Sequence, residues 1–210
     1  LLLFFFIPRV SATTLSENWN CSNAASITCQ LTWSEGGGAD AWEIASNQAE
    51  IIGSEADQAF GRADSDLASG NHTVQATLST LTYVAGQCYA GVMCRRESSG
   101  AVNGYVWIAN SLSGQYELYR VDGGSLTSLG TYTATPAAAD VLKITCDGTT
   151  IIGNLNGTDR VTGTSQTSYT ANVRAGIYGF SNNVLNTIGL DAWTAQDLTA
   201  ASPRRSPIIW

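Results

Sequence analysis

The sequence predicts an all-β chain folded as an antiparallel two-sheet sandwich, and three observations support this. Apolar and polar residues alternate with period two in run after run. Turn signals rich in Gly, Asn and Asp separate the runs at regular spacing. Charged residues make up only 13 % of the chain, with 21 Gly and 4 Pro among 210 residues, which suits short strands joined by tight turns.

The elements follow in order. Residues 1–12 form an apolar arm, 13–198 the sandwich and 199–210 an extended tail. Within the sandwich, CSNAASITC is a loop short enough for Cys21 and Cys29 to close in an oxidising compartment. ADAWEIASNQAEIIG has some helical character, but Trp42, Ile44, Ile51 and Ile52 suit two strands around Ser46-Asn47, and we assign strands. HTVQATLSTL then sets Val74, Ala76 and Leu78 on one face against Thr73, Gln75, Thr77 and Ser79. GQCYAGVMCRR aligns Cys88, Ala90, Val92 and Cys94; NGYVWIA sets Val106 and Ile108 against Tyr105 and Trp107. QYELYRV alternates Tyr116, Leu118 and Arg120 with Glu117, Tyr119 and Val121, and VLKITC turns Leu142, Ile144 and Cys146 inward. TIIGNL, VRAGIYGF and VLNTIGLDAW complete the pattern. Turns fall at Val102-Asn103-Gly104, Asp122-Gly123-Gly124, Asp147-Gly148 and Asn156-Gly157. Ten to thirteen strands result, with no repeat of the length that solenoids or propellers need.

The net charge of -7 leaves no basic surface for a nucleic-acid backbone. Five cysteines leave at least one unpaired within the chain. Cys88 and Cys94 lie on one strand, roughly 20 Å apart, too far to bridge each other. Cys94 and Cys146 read as small buried hydrophobes. Without a C-x-x-C pair, and with His72 the sole histidine, no zinc site is expected, nor any other metal or cofactor. Asp122 and Asp147 precede glycines, which reads as hairpin turns rather than calcium ligation.

Both ends are apolar. Leu1, Leu2, Leu3, Phe4, Phe5, Phe6 and Ile7 are too few to span a bilayer, which takes about 20 residues. They read as an assembly arm or as an uncleaved targeting remnant ahead of Val10-Ser11-Ala12. Ile208, Ile209 and Trp210, behind two prolines, read as a second arm or as a tail folded back on its own domain.

AGVMCRRESSG (90–100), GYVWIANS (104–111), YELYRVDGG (116–124), LTSLGTYTA (126–134), DVLKITCDGTTIIGNLNG (140–157) and VRAGIYGF with IGLDAWTAQDL (173–198) follow one another in an order that resembles concanavalin-A-like jelly rolls of the LamG-like kind. The resemblance covers residues 60–198, with 13–60 as opening strands, and implies a jelly roll. Domains of this style occur in phage and other virion proteins and in secreted carbohydrate-active proteins, so the resemblance fixes fold more than role.

The residues bear on three roles. Catalysis is not expected: glycoside hydrolysis needs two carboxylates at a set separation, and the acidic residues are scattered, with no E-x-D-x-E strand and no G-x-S-x-G elbow near His72. A glycan-binding role places Tyr105, Trp107 and Tyr119 on an outward face with Arg95 beside them; the alternative is that these aromatics fill the core. The role we expect first is a non-enzymatic assembly subunit, a virion decoration, tail, fibre or surface filament protein. It would self-associate through the two arms, meet other virion or surface proteins, and sit on a virion or extracellular surface. Secreted or surface glycan binding is the alternative.

Overall fold

The computed structural model describes residues 12–24, 26–36, 42–54, 58–98 and 102–198. The two segments expected to act as assembly arms, Leu1–Ile7 and Ile208–Trp210, lie outside them. Fourteen strands run through the described residues: β1 (Thr14–Glu17), β2 (Trp33–Gly36), β3 (Glu43–Ala45), β4 (Gln48–Ser54), β5 (Ala59–Ala63), β6 (His72–Thr82), β7 (Cys88–Arg96), β8 (Gly104–Asn110), β9 (Gln115–Asp122), β10 (Ser125–Thr133), β11 (Val141–Asp147), β12 (Thr150–Leu155), β13 (Thr158–Gly163) and β14 (Arg174–Asp197). No helix occurs among the described residues.

Expected turns form at Ser46-Asn47, Asp122-Gly123-Gly124, Asp147-Gly148 and Asn156-Gly157, whereas at Val102-Asn103-Gly104 the glycine already opens β8. Ser46 and Asn47 both take positive φ, 53° and 64°, so β3 and β4 are a hairpin and the helical alternative for this stretch is excluded. Asn156 and Gly157, at 51° and 81°, close β12 onto β13 in the same way.

The strands form two antiparallel sheets. Sheet I runs β13-β12-β11-β6-β14, with β4 and β1 side by side on the far edge of β14 and β3 beyond β4. Sheet II runs β2-β5-β14-β7-β8-β9-β10. Strand β14 belongs to both: residues 174–181 lie in sheet II, and 187–197 in sheet I.

The core lies between the sheets. Val74, Ala76 and Leu78 from β6 and Leu142, Ile144 and Cys146 from β11 meet Cys88, Ala90, Val92 and Cys94 from β7, as alternation predicts. Trp19, Trp33, Trp42, Trp107 and Trp193 are buried among them. Where two backbones or an indole must approach, glycine is required: a Cβ on Gly153 would lie 2.5 Å from Cε3 of Trp107.

Two disulfides are present. Cys21–Cys29 closes the small loop. Cys94–Cys146 corrects the expectation that these two are merely small hydrophobes: they face each other from β7 and β11, with Cα atoms 6.5 Å apart, and tie the two sheets together. Cys88 is a free, buried thiol, and burial pushes its pKa up to about 11.

Candidate functional site

A sandwich normally turns polar residues outward on both sheets. Sheet I does so with Thr73, Gln75 and Thr77 on β6 and Lys143 and Thr145 on β11. Sheet II does not. Its inward residues fill the core, and the alternate residues build a second apolar layer on the opposite face. Phe60 of β5, Tyr178 and Phe180 of β14, Tyr89 and Met93 of β7, Val106 and Ile108 of β8, and Tyr119 and Val121 of β9 form it.

Four rings of this layer make a ladder across three adjacent strands. Phe60 and Tyr178 have centroids 5.0 Å apart. Tyr178 stacks on Tyr89 at 5.8 Å and 9°, and Tyr89 on Phe180 at 5.4 Å and 21°. Phe180 is partly exposed at the open end.

Beside the ladder sits one buried carboxylate. Glu117 accepts from Asn110 Nδ2 at 3.1 Å and from the Tyr119 hydroxyl at 2.9 Å on one oxygen, and from the Ser113 hydroxyl at 2.9 Å on the other. Strand register explains the grouping, since Ile108 pairs with Glu117 and Asn110 with Tyr89, so Asn110, Glu117 and Tyr89 share one face. Burial, and then the hydrogen bond to Glu117, push the Tyr119 phenol up to about 12. Burial raises Tyr89 as well. These hydroxyls are protonated donors across the physiological range, next to flat aromatic faces.

The far end of the same face is ionic. Arg62 pairs with Asp64 at 2.9 Å, and Arg174 reaches Asp66 at 2.5 Å and Asp64 at 3.6 Å. Burial works against the Asp64 carboxylate, but the Ser34 hydroxyl and Arg62 outweigh it and hold its pKa low. Charge is balanced locally, so this end is a brace rather than an anion trap.

The sequence-predicted glycan residues divide. Tyr119 lies on the outer face. Tyr105 and Trp107 do not: both are fully buried in the core, correcting the expected outward orientation. The Tyr105 hydroxyl donates to Ser168 O at 3.1 Å, and Trp107 Nε1 to Asn154 O at 3.0 Å. Arg95 is also buried, where β7 bulges at a φ of 52°. Its Nε donates to Gly70 O at 2.8 Å and its Nη2 to Gly148 O at 2.7 Å and Asn71 Oδ1 at 3.1 Å, so it pins loops rather than facing a ligand. Tyr89, Phe180, Asn110 and Glu117 were not singled out. Parity alone could not find them: Asn110 shares its face of β8 with Val106 and Ile108, the set opposite the Tyr105 and Trp107 that the sequence reading turned outward.

Among the described residues no group of three or more His, Cys, Asp or Glu is placed to hold a metal ion. Asp122 is bound to Arg120 at 2.7 Å and accepts from the Tyr169 hydroxyl.

No protein-family model matches the sequence, and no curated protein matches it. Solved structures do resemble the fold. The carbohydrate-binding module CBM66 from Bacillus subtilis is 14 % identical, with a TM-score of 0.54 over 80 % of this chain and 93 % of that one. Bacillus licheniformis β-glucanase is 9 % identical, with a TM-score of 0.61 over 88 % and 98 %. The exoplasmic/lumenal domain of VIP36, in a form bound to Ca2+ and Man3GlcNAc, is 9 % identical, with a TM-score of 0.57 over 84 % and 88 %. The chain therefore carries a concanavalin-A-like jelly roll, and at these identities the likeness concerns the fold alone.

Proposed function

We propose that this domain is a non-enzymatic, lectin-like glycan-binding module whose site is the open end of the aromatic ladder on sheet II. The observation that carries this is the Tyr89–Phe180 stack standing beside Glu117 with its Asn110, Ser113 and Tyr119 donors. A sugar ring offers an apolar C–H face and a rim of hydroxyls, and flat aromatics beside fixed amide, phenol and carboxylate groups match both. Several structural neighbours carry carbohydrate-binding names, which favours the same reading. One neighbour is a β-glucanase, but Glu117 has both oxygens engaged by neighbouring donors, which suits a fixed acceptor better than a nucleophile. Two disulfides favour an extracellular or otherwise non-cytoplasmic setting. The assembly-subunit expectation rests on the two terminal arms, and the fold likeness gives no support to a virion role.

A glycan array probed with the full chain tests the proposal. Binding to a defined glycan is expected, weakened at least tenfold by Phe180→Ala with the thermal transition of the fold retained. Absence of any glycan signal, or unchanged binding by the Phe180→Ala chain, would overturn it.

A further inference from the structure

Four large apolar side chains among the described residues stand exposed: Tyr83 at 39 %, Val84 at 55 %, Leu112 at 52 % and Leu185 at 62 %. They fall in three links, residues 83–87 between β6 and β7, 111–114 between β8 and β9, and 182–186 in the crossing of β14 between sheets. All three links lie at one end of the sandwich; 83–87 and 182–186 are bonded to each other, and 111–114 to the first residue of β7. Gln87 N donates to Asn182 Oδ1 at 2.7 Å and Asn182 N to Gln87 O at 3.1 Å. Asn186, fully buried, accepts from Val84 N at 2.9 Å and donates to Ala85 O at 2.8 Å. Ser111 N donates to Cys88 O at 2.9 Å. The apolar side chains are thus held outward on a braced backbone.

None of the three links contains Asp, Glu, Lys or Arg, in a chain with 27 charged residues. Their polar groups are Ser, Asn and Gln, together with one Tyr hydroxyl, which donates to Gly86 O at 3.2 Å. Four side chains at this exposure present roughly 300–400 Å² of surface, well below the roughly 800 Å² that each partner contributes to a stable protein interface. A partner that needs no matched contour and no charge complement fits better. Uncharged loop tips carrying Tyr, Val and Leu suit the boundary between lipid headgroups and acyl chains, where apolar side chains gain burial, a Tyr hydroxyl stays wet, and no ion has to be desolvated.

We propose that this end of the domain docks on an electrically neutral lipid surface by inserting Tyr83, Val84, Leu112 and Leu185. The net charge of -7 sets the lipid preference, because an anionic surface repels the chain. This docking does not rest on the glycan-binding reading, although Ser113 of the 111–114 link also bonds Glu117.

The test is sedimentation of the full chain with phosphatidylcholine vesicles and, separately, with vesicles containing phosphatidylserine. Binding to phosphatidylcholine is expected, reduced by phosphatidylserine and cut at least tenfold in a Val84→Ser/Leu185→Ser chain. Near-ultraviolet circular dichroism of that variant should match the wild type, since both side chains are exposed. A wild-type chain that does not sediment with phosphatidylcholine overturns the proposal. Unchanged binding by the variant also does so, because contact would then come from elsewhere, as from the apolar termini. If native mass instead shows a wild-type dimer that the variant loses, the tip is a self-association surface and the lipid proposal falls.

Discussion

His72 opens β6 fully buried, and its two ring nitrogens have different partners. Arg95 N donates to Nε2 at 3.1 Å, so Nδ1 carries the proton and donates to Ser69 O at 3.0 Å. Burial, aided by the Arg95 charge and opposed by Ser69 and Asp197, lowers its pKa from 6.5 to about 4. In the unfolded chain the ring protonates near its ordinary value, so as pH falls the unfolded state binds a proton first. The stability due to this group is complete above pH 6.5 and is lost on descending toward pH 4, by on the order of 3 kcal/mol. Urea midpoints measured between pH 7 and 4 should show this decline, and a His72→Gln chain should show a shallower one; equal slopes would refute the assignment. Residues of this kind were half legible in sequence. His72 at a strand start was readable, but its pairing with Arg95 depends on a bulge that shifts register by one residue, and no period-two pattern encodes a bulge.

Strand β8 packs its Trp107 against β12, where the indole lies over Gly153. Removing the ring by Trp107→Ala should cost about 3–5 kcal/mol through lost burial and a cavity. Gly153→Ala should cost about 1–3 kcal/mol, because a methyl would collide with a ring that cannot move. The double variant should be less destabilised than the two losses together, since deleting the ring makes room for the methyl. Denaturant titration of the four chains measures this coupling, and strict additivity would mean that the contact is not tight. The same strand shows why alternation located the β8–β9 hairpin yet turned Tyr105 and Trp107 the wrong way. Alternation sorts Tyr105 and Trp107 from Val106 and Ile108, but both sets are apolar, so nothing in β8 says which set faces the core. On β6 and β11, where Thr, Gln and Lys fill one set, the choice was plain. Fixing β8 needed its neighbour: Cys94 pairs with Tyr105, and Cys94 is held to Cys146 across the core.

Taken whole, the molecule is two sheets joined covalently at one point and by one shared strand. Cys94–Cys146 closes a loop with a sequence separation of 52, and Cys21–Cys29 one of 8. The chain-entropy model assigns about 4 kcal/mol to the longer closure and about 2.5 kcal/mol to the shorter. Replacing Cys94 and Cys146 with Ala should therefore lower the denaturant midpoint more than replacing Cys21 and Cys29; the reverse order would show that the small loop anchors more of the fold than its length implies. Both sheets were expected from the sequence, but the shared strand was not. VRAGIYGF and VLNTIGLDAW read as two strands, and in the structure they are halves of one. Strand β14 pairs with β1, β4, β5, β6 and β7, all of which precede it in the chain. A nascent chain leaving the ribosome therefore holds β5 beside no β7 until residues 174–181 have emerged, and β6 beside no β1 or β4 until residues 182–197 follow. Folding waits for the last strand, and up to that moment the polypeptide stays open, threadable and in need of protection from its own apolar runs.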